Sequence, residues 1–117
     1  MRKAGQPVDL EHLDRFTGGD RAVNEEILRL FDDQCRAMLE KLERLAACET
    51  DVKSWREIIH TLKGAARGIG AFALGDAAEE AEKAETERAA LMARLERLKR
   101  ESAAVCGFIA RFLNQGA

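Results

Sequence analysis

Apolar residues recur every three or four positions along most of the chain, and they do not alternate with polar ones over any stretch. That spacing predicts α-helices and no strands. Between Asp9 and Phe16, the residues Leu10, Leu13 and Phe16 share one face of a short amphipathic segment. Thr17-Gly18-Gly19-Asp20 interrupts it, and Asp20 is placed to cap the next helix. That second helix is predicted from about Arg21 to Ala47. Its Leu28, Phe31, Cys35, Met38, Leu42 and Leu45 step by three and four, the heptad seam of a helix lying nearly parallel or antiparallel to its neighbours.

Polar Glu49-Thr50-Asp51 separates this helix from a third, which carries Trp55, Ile59, Leu62, Ala66 and Ile69 on one face. Gly68-Ile69-Gly70 is its expected C-terminus. A fourth helix is predicted from about Ala71 to Ala84, with Leu74, Ala77, Ala78 and Ala81 inward. Gly75 costs it about 1 kcal/mol of propensity, so its first turn is expected to be irregular. Glu85-Thr86-Glu87 breaks the pattern again. Leu91, Leu95, Leu98, Ser102, Val105, Ile109 and Phe112 then form a second seam. Four long helices on short connections predict an all-α, antiparallel up-and-down four-helix bundle with a short extra N-terminal helix. Residues 1–8 are expected to be a loose leader, and 9–117 one domain.

Composition agrees and removes several functions. The 117 residues are 46% hydrophobic and 34% charged, rich in good helix formers, with a single proline and no tyrosine. A formal net charge of -2 supplies no overall field to draw the chain onto nucleic acid or an anionic membrane. No apolar run approaches the length of a membrane span, and the N-terminal residues do not form a signal peptide. Cys35, Cys48 and Cys106 lack C-x-x-C spacing and are expected as small core or boundary residues in a reducing, cytoplasmic setting.

The third helix carries the candidate chemistry. With Trp55 at zero and 100° per residue, its apolar stripe centres near zero, while His60 falls at about 140° and Gly64 at about 180°. Arg56, Lys63 and Arg67 fall between about 80° and 120°. His60 is therefore predicted to face outward among cations, with a glycine one turn above it. Imidazole is substantially neutral and nucleophilic near neutral pH, and adjacent cations favour its neutral form. The same cations suit the oxygens of a transferring phosphoryl group. Gly64 leaves room beside the ring for a partner's active site.

The run His60-Thr61-Leu62-Lys63-Gly64-Ala65-Ala66-Arg67-Gly68-Ile69-Gly70-Ala71 resembles the H-x-L-K-G-[SA]-A-x-x-x-G-A core of histidine-containing phosphotransfer (HPt) domains. Trp55 upstream and Leu74 downstream fit the likeness, which is close from Trp55 to Glu82. The resemblance implies a phosphocarrier in a multistep two-component phosphorelay. His60 would take a phosphoryl group from an aspartyl phosphate on a receiver domain and pass it to another. Lys63 would steady the phosphoryl charge, Gly64 would permit docking, and Arg67, at a variable position of the motif, would assist. Position 65, often serine in the family, is alanine here.

The implied partners are receiver domains of response regulators or hybrid histidine kinases, docking on an apolar patch for which Leu13, Phe16 and Leu28 are candidates. The receiver would bring the divalent metal, so no cofactor is expected in this chain, which would act as a monomer. It has no nucleotide-binding domain and no glycine-rich ATP lid, so it is not expected to act as an autokinase. The alternative from another class is a non-catalytic helical adaptor or dimerisation bundle that uses its seams between chains. Glu57-x-x-His60 lacks the second E-x-x-H and the inward carboxylates of a di-iron site, so no metal site is expected. His12 is expected on the solvated side of the short helix, and Glu79, Glu80, Glu82, Glu85 and Glu87 on a solvated acidic face.

Overall fold

The computed structural model describes residues 6–47, 51–83 and 88–115. Those residues form five helices and no strand: α1 (Leu10–Thr17), α2 (Arg21–Ala47), α3 (Val52–Gly68), α4 (Phe72–Glu82) and α5 (Arg88–Gln115). The predicted bounds hold to within a residue or two where they can be compared. The predicted breaks at Glu49-Thr50 and Glu85-Thr86-Glu87 lie outside the described residues, as does Cys48.

Local chemistry sets the helix ends. Asp9 caps α1 by accepting from the His12 amide at 3.3 Å, and Asp20 accepts from the Val23 amide at 3.2 Å as α2 begins. Asp51 caps α3, accepting from the amides of Lys53 and Ser54 and from the Ser54 hydroxyl. Gly70, at φ 86, turns the chain from α3 into α4. Its carbonyl accepts from the Asp9 amide at 2.9 Å, tying the entry of α1 to that turn.

The long helices pack as a closed ring, α3 on α4, α4 on α5, α5 on α2 and α2 on α3, while α1 lies on α2. The Cys35–Ser102, Glu43–Lys99 and Arg21–Phe112 contacts show α2 and α5 running in opposite directions. Both seams turn into the single chain's own core: Leu28, Phe31, Cys35 and Leu42 from α2 meet Leu91, Leu95, Leu98, Val105 and Ile109 from α5. Ser102 sits buried in the α5 seam, where Cys35 Sγ donates to its hydroxyl at 3.6 Å.

Four expectations are corrected. Val8, assigned to the loose leader, is buried in the core next to the Asp9–Gly70 bond. Leu13 and Leu28, proposed for docking, are core residues as well, because α1 turns Leu13 inward while leaving Phe16 outside, and the seam of α2 carries Leu28 into the core. The first turn of α4 is regular, with the Gly75 amide donating to Ala71 at 3.0 Å. His12 is half-buried rather than solvated, its ring set edge-on between Phe16 and Phe72 at centroid distances of 5.2 and 5.0 Å. Buried Asn24 was not anticipated. It accepts from the Thr17 hydroxyl and donates to Asp14, fastening α1 to α2.

Candidate functional site

The α3–α4 pair builds the site. Its close packing follows from alanines at the contact: Ala66 of α3 and Ala77, Ala78 and Ala81 of α4 are all buried. On the outer edge of this contact the polar side chains meet in an antiparallel ladder. His60 lies one helical turn before Lys63, with its side chain 71% exposed. Both reach the same carboxylate at the end of α4: Glu82 Oε2 lies 3.0 Å from His60 Nδ1, and Glu82 Oε1 accepts from Lys63 Nζ at 2.6 Å. One turn further along α3, Arg67 Nη2 lies 3.4 Å from both Asp76 and Glu79.

Electrostatics assigns the protons. The Lys63 ammonium, and after it the His60 ring, hold the Glu82 carboxyl below the usual carboxylate range. An ionised carboxylate only accepts, so His60 Nδ1 carries the hydrogen in this contact. In the neutral ring Nε2 then keeps its lone pair. The ladder sets the Glu82 carboxylate against Nδ1 of an exposed imidazole.

The predicted residues are brought together unequally. His60, Lys63 and Gly64 share one stretch of α3, as expected, and His60 faces solvent. Lys63 is only 19% exposed in its side chain, with its charge matched by Glu82. Arg67 is turned onto α4. Of the cations expected around His60, Lys63 and Arg67 are therefore ion-paired while Arg56 is exposed, which corrects the assignment of Glu79 and Glu82 to a merely solvated face. Acids at 76, 79 and 82, stepping by three, face cations at 63 and 67. That charge complementarity was visible in the sequence but needed the antiparallel α3–α4 contact to give it meaning.

Gly75 belongs to the same device. A β-carbon there would lie 2.7 Å from Arg67 Cγ, so the glycine is the notch in which the arginine stem rests. Gly64 differs: a β-carbon built on it meets nothing within 4 Å, and the same holds at Gly68. Of the large apolar residues left outside the core, Phe16 is 74% and Leu30 58% exposed, with Val23 at the margin. Among the described residues no three His, Cys, Asp or Glu groups could jointly hold a metal ion, and no helix is long and apolar enough to cross a membrane.

The family model of the Hpt domain matches residues 26–108, most of the chain, including the His60–Glu82 site. Neither the curated proteins nor the solved structures contain a match to this chain.

Proposed function

The chain belongs to the Hpt domain family, and from that membership we propose that it is a phosphocarrier, taking a phosphoryl group onto His60 Nε2 and handing it on between receiver domains of a multistep two-component relay. The observation that supports this reading is the Glu82–His60 contact at 3.0 Å: with Nδ1 donating to the carboxylate, Nε2 would keep its lone pair as the nucleophile. In the step itself the Nε2 lone pair forms the N–P bond as the P–O bond of the receiver's aspartyl phosphate breaks and its electrons stay on the departing carboxylate. No proton has to leave the ring. The positive charge that grows on the imidazole meets Glu82 at Nδ1, an interaction stronger in the transition state than at rest. Lys63 spends one N–H on Glu82 and has two more for phosphoryl oxygens. Arg67, engaged by Asp76 and Glu79, serves α4 and not the phosphoryl group.

The receiver would approach over the outward stripe of α3 that runs through Thr61, Gly64 and Gly68. Nothing inside the molecule requires a bare α-carbon at Gly64, and a helical glycine costs about 1 kcal/mol relative to alanine, so its use lies in the approach of another surface. Val23 and Leu30 are exposed on α2, a helix that packs on α3, with partly buried Ile27 between them in sequence, and together with Phe16 they would supply the apolar contact. The divalent metal belongs to the receiver, and the chain uses no ATP. Both seams are filled from within the chain, which supports a protein working as a monomer, in the cytoplasm with its receivers.

The test is incubation with phosphorylated receiver domains, wild type beside His60→Gln. Acid-labile, base-stable label is expected on the wild type alone, with unchanged helicity in the variant. Absence of label from every competent receiver, in folded protein, would reject the carrier function.

A further inference from the structure

We propose that Trp55 is a positioning residue for the phosphoryl site: from inside the core it fixes the end of α4, and so holds Glu82 in register with the His60 ring. The inference rests on the carrier function proposed above and extends it to a residue that touches neither His60 nor the phosphoryl group.

Glu82 is the last residue of α4. Helix ends fray, and their final carbonyls have no partner within the helix, so the placement of a terminal side chain is only as good as the anchoring of that turn. The turn is closed by the Lys83 amide, which donates to the Glu80 carbonyl at 3.2 Å and also reaches that of Ala81. It ends with Lys83 in a right-handed conformation instead of a left-handed cap, and there is no basic residue in the last turn. The Glu82–Lys63 ion pair is partly solvated, and pairs of that kind fix geometry weakly.

What holds the turn from below is Trp55. It is completely buried, and its indole Nε1 donates to the Ala81 carbonyl at 3.1 Å, one residue before Glu82. That bond lies in the apolar interior, where hydrogen bonds are strong and an unmade one is costly. Trp55 and His60 are five residues apart on α3, one on its buried face and one on its exposed face. The contacts form a closed path: α3 anchors the end of α4 through Trp55, and α4 returns Glu82 to α3 at His60. Arg67, on its Gly75 notch, holds the same pair of helices further from the site: it meets α4 at Asp76 and, where the final turn begins, at Glu79, through partly solvated ion pairs.

Two replacements remove the N–H while keeping a large apolar ring. One is Trp55→Phe. The other uses the fact that Trp55 is the chain's single tryptophan: expression with a benzothiophene analogue of tryptophan puts sulfur in place of the indole N–H at this site alone. The readout is the pair of ring 15N shifts of His60, identified by their loss in His60→Gln and recorded at about pH 8.5, where imidazole is neutral. In the wild type, Nδ1 is expected to be protonated and Nε2 bare. Both replacements should shift the ring toward a mixture of tautomers, as Glu82→Gln should, and slow phosphorylation by phosphoramidate about fivefold, the weight of one net hydrogen bond.

A purely structural tryptophan would lower the unfolding midpoint and leave the His60 shifts where they were. That result in the analogue-containing protein, with Glu82→Gln moving them, overturns the proposal, and the analogue decides the matter if Trp55→Phe does not fold. If wild-type His60 takes no phosphoryl group from phosphoramidate or any receiver, the carrier function fails instead, and the tautomer measurement distinguishes that failure from this one.

Discussion

At the scale of single residues, the site depends on what surrounds His60 more than on the histidine itself. In the proposed carrier function, Glu82 decides which nitrogen is free, and Gly64 decides what can reach it. The two glycines of the region are opposite cases. Gly75 is closed by Arg67 Cγ at 2.7 Å, whereas Gly64 opens on empty space. Filling Gly64 is therefore harmless to the fold and harmful to docking. Gly64→Gln should unfold at the same or slightly higher denaturant concentration than wild type, by up to about 1 kcal/mol from helix propensity. It should lose at least about tenfold in transfer from a phospho-receiver, the effect of about 1.4 kcal/mol at a crowded interface. With phosphoramidate, which is small, the same variant should react at nearly the wild-type rate. Equal receiver kinetics for both proteins would show that the space above Gly64 is not used.

At the scale of elements, two joints govern the α3–α4 hairpin that carries the site. The first is the turn at Gly70. Its φ of 86 lies in the left-handed region, and a β-carbon there would sit 2.5 Å from the Asp9 carbonyl oxygen. Gly70→Ala should destabilise the protein by at least about 2 kcal/mol, measured by urea unfolding, because backbone strain and a backbone clash add together.

The second joint is ionic, and its pH dependence has a definite sign. Glu82 is held below the usual carboxylate range by Lys63 and then His60, and the Ser54 hydroxyl bond chiefly does the same for Asp51 at the start of α3. A carboxyl whose folded value is depressed stabilises the fold above its unfolded value, and that contribution is lost as pH falls through the folded one. Urea midpoints should therefore fall from neutral pH into the acid range, and Glu82→Gln should flatten part of that slope. An unchanged slope in the variant would mean that the ladder contributes nothing to stability.

At the scale of the whole molecule, the ring of helices encloses one core with Cys35 buried inside it and Cys106 partly buried at its margin. Burial, followed by the hydrogen bond to Asp32, pushes Cys106 up to about 12, and burial raises the Cys35 thiol too. Thiolate is the reactive form, so both should alkylate far more slowly at pH 8 in the native protein than after unfolding, as peptide mass mapping would record. Rapid native labelling of Cys106 would show that the α2–α5 contact opens readily.

The helices, the two seams, the cap at Asp20, and the outward His60 with Lys63 and Gly64 beside it were all legible in the chain's own residues. These arise from periodicity and local hydrogen bonding, which act within a few residues and need no partner element. The sequence also carried the motif that the family model matches. Only the tertiary structure decided the rest. Leu13 and Leu28 looked like docking residues because an apolar stripe on a helix does not say which side of it another helix will cover. Glu82 looked like one of several surface acids until α4 folded back along α3 and brought it to within 3.0 Å of a histidine 22 positions earlier. Gly75 read as a defect in a helix and became a seat for Arg67. In each case the deciding quantity is a distance between elements far apart in sequence, set by how small side chains let two helices approach.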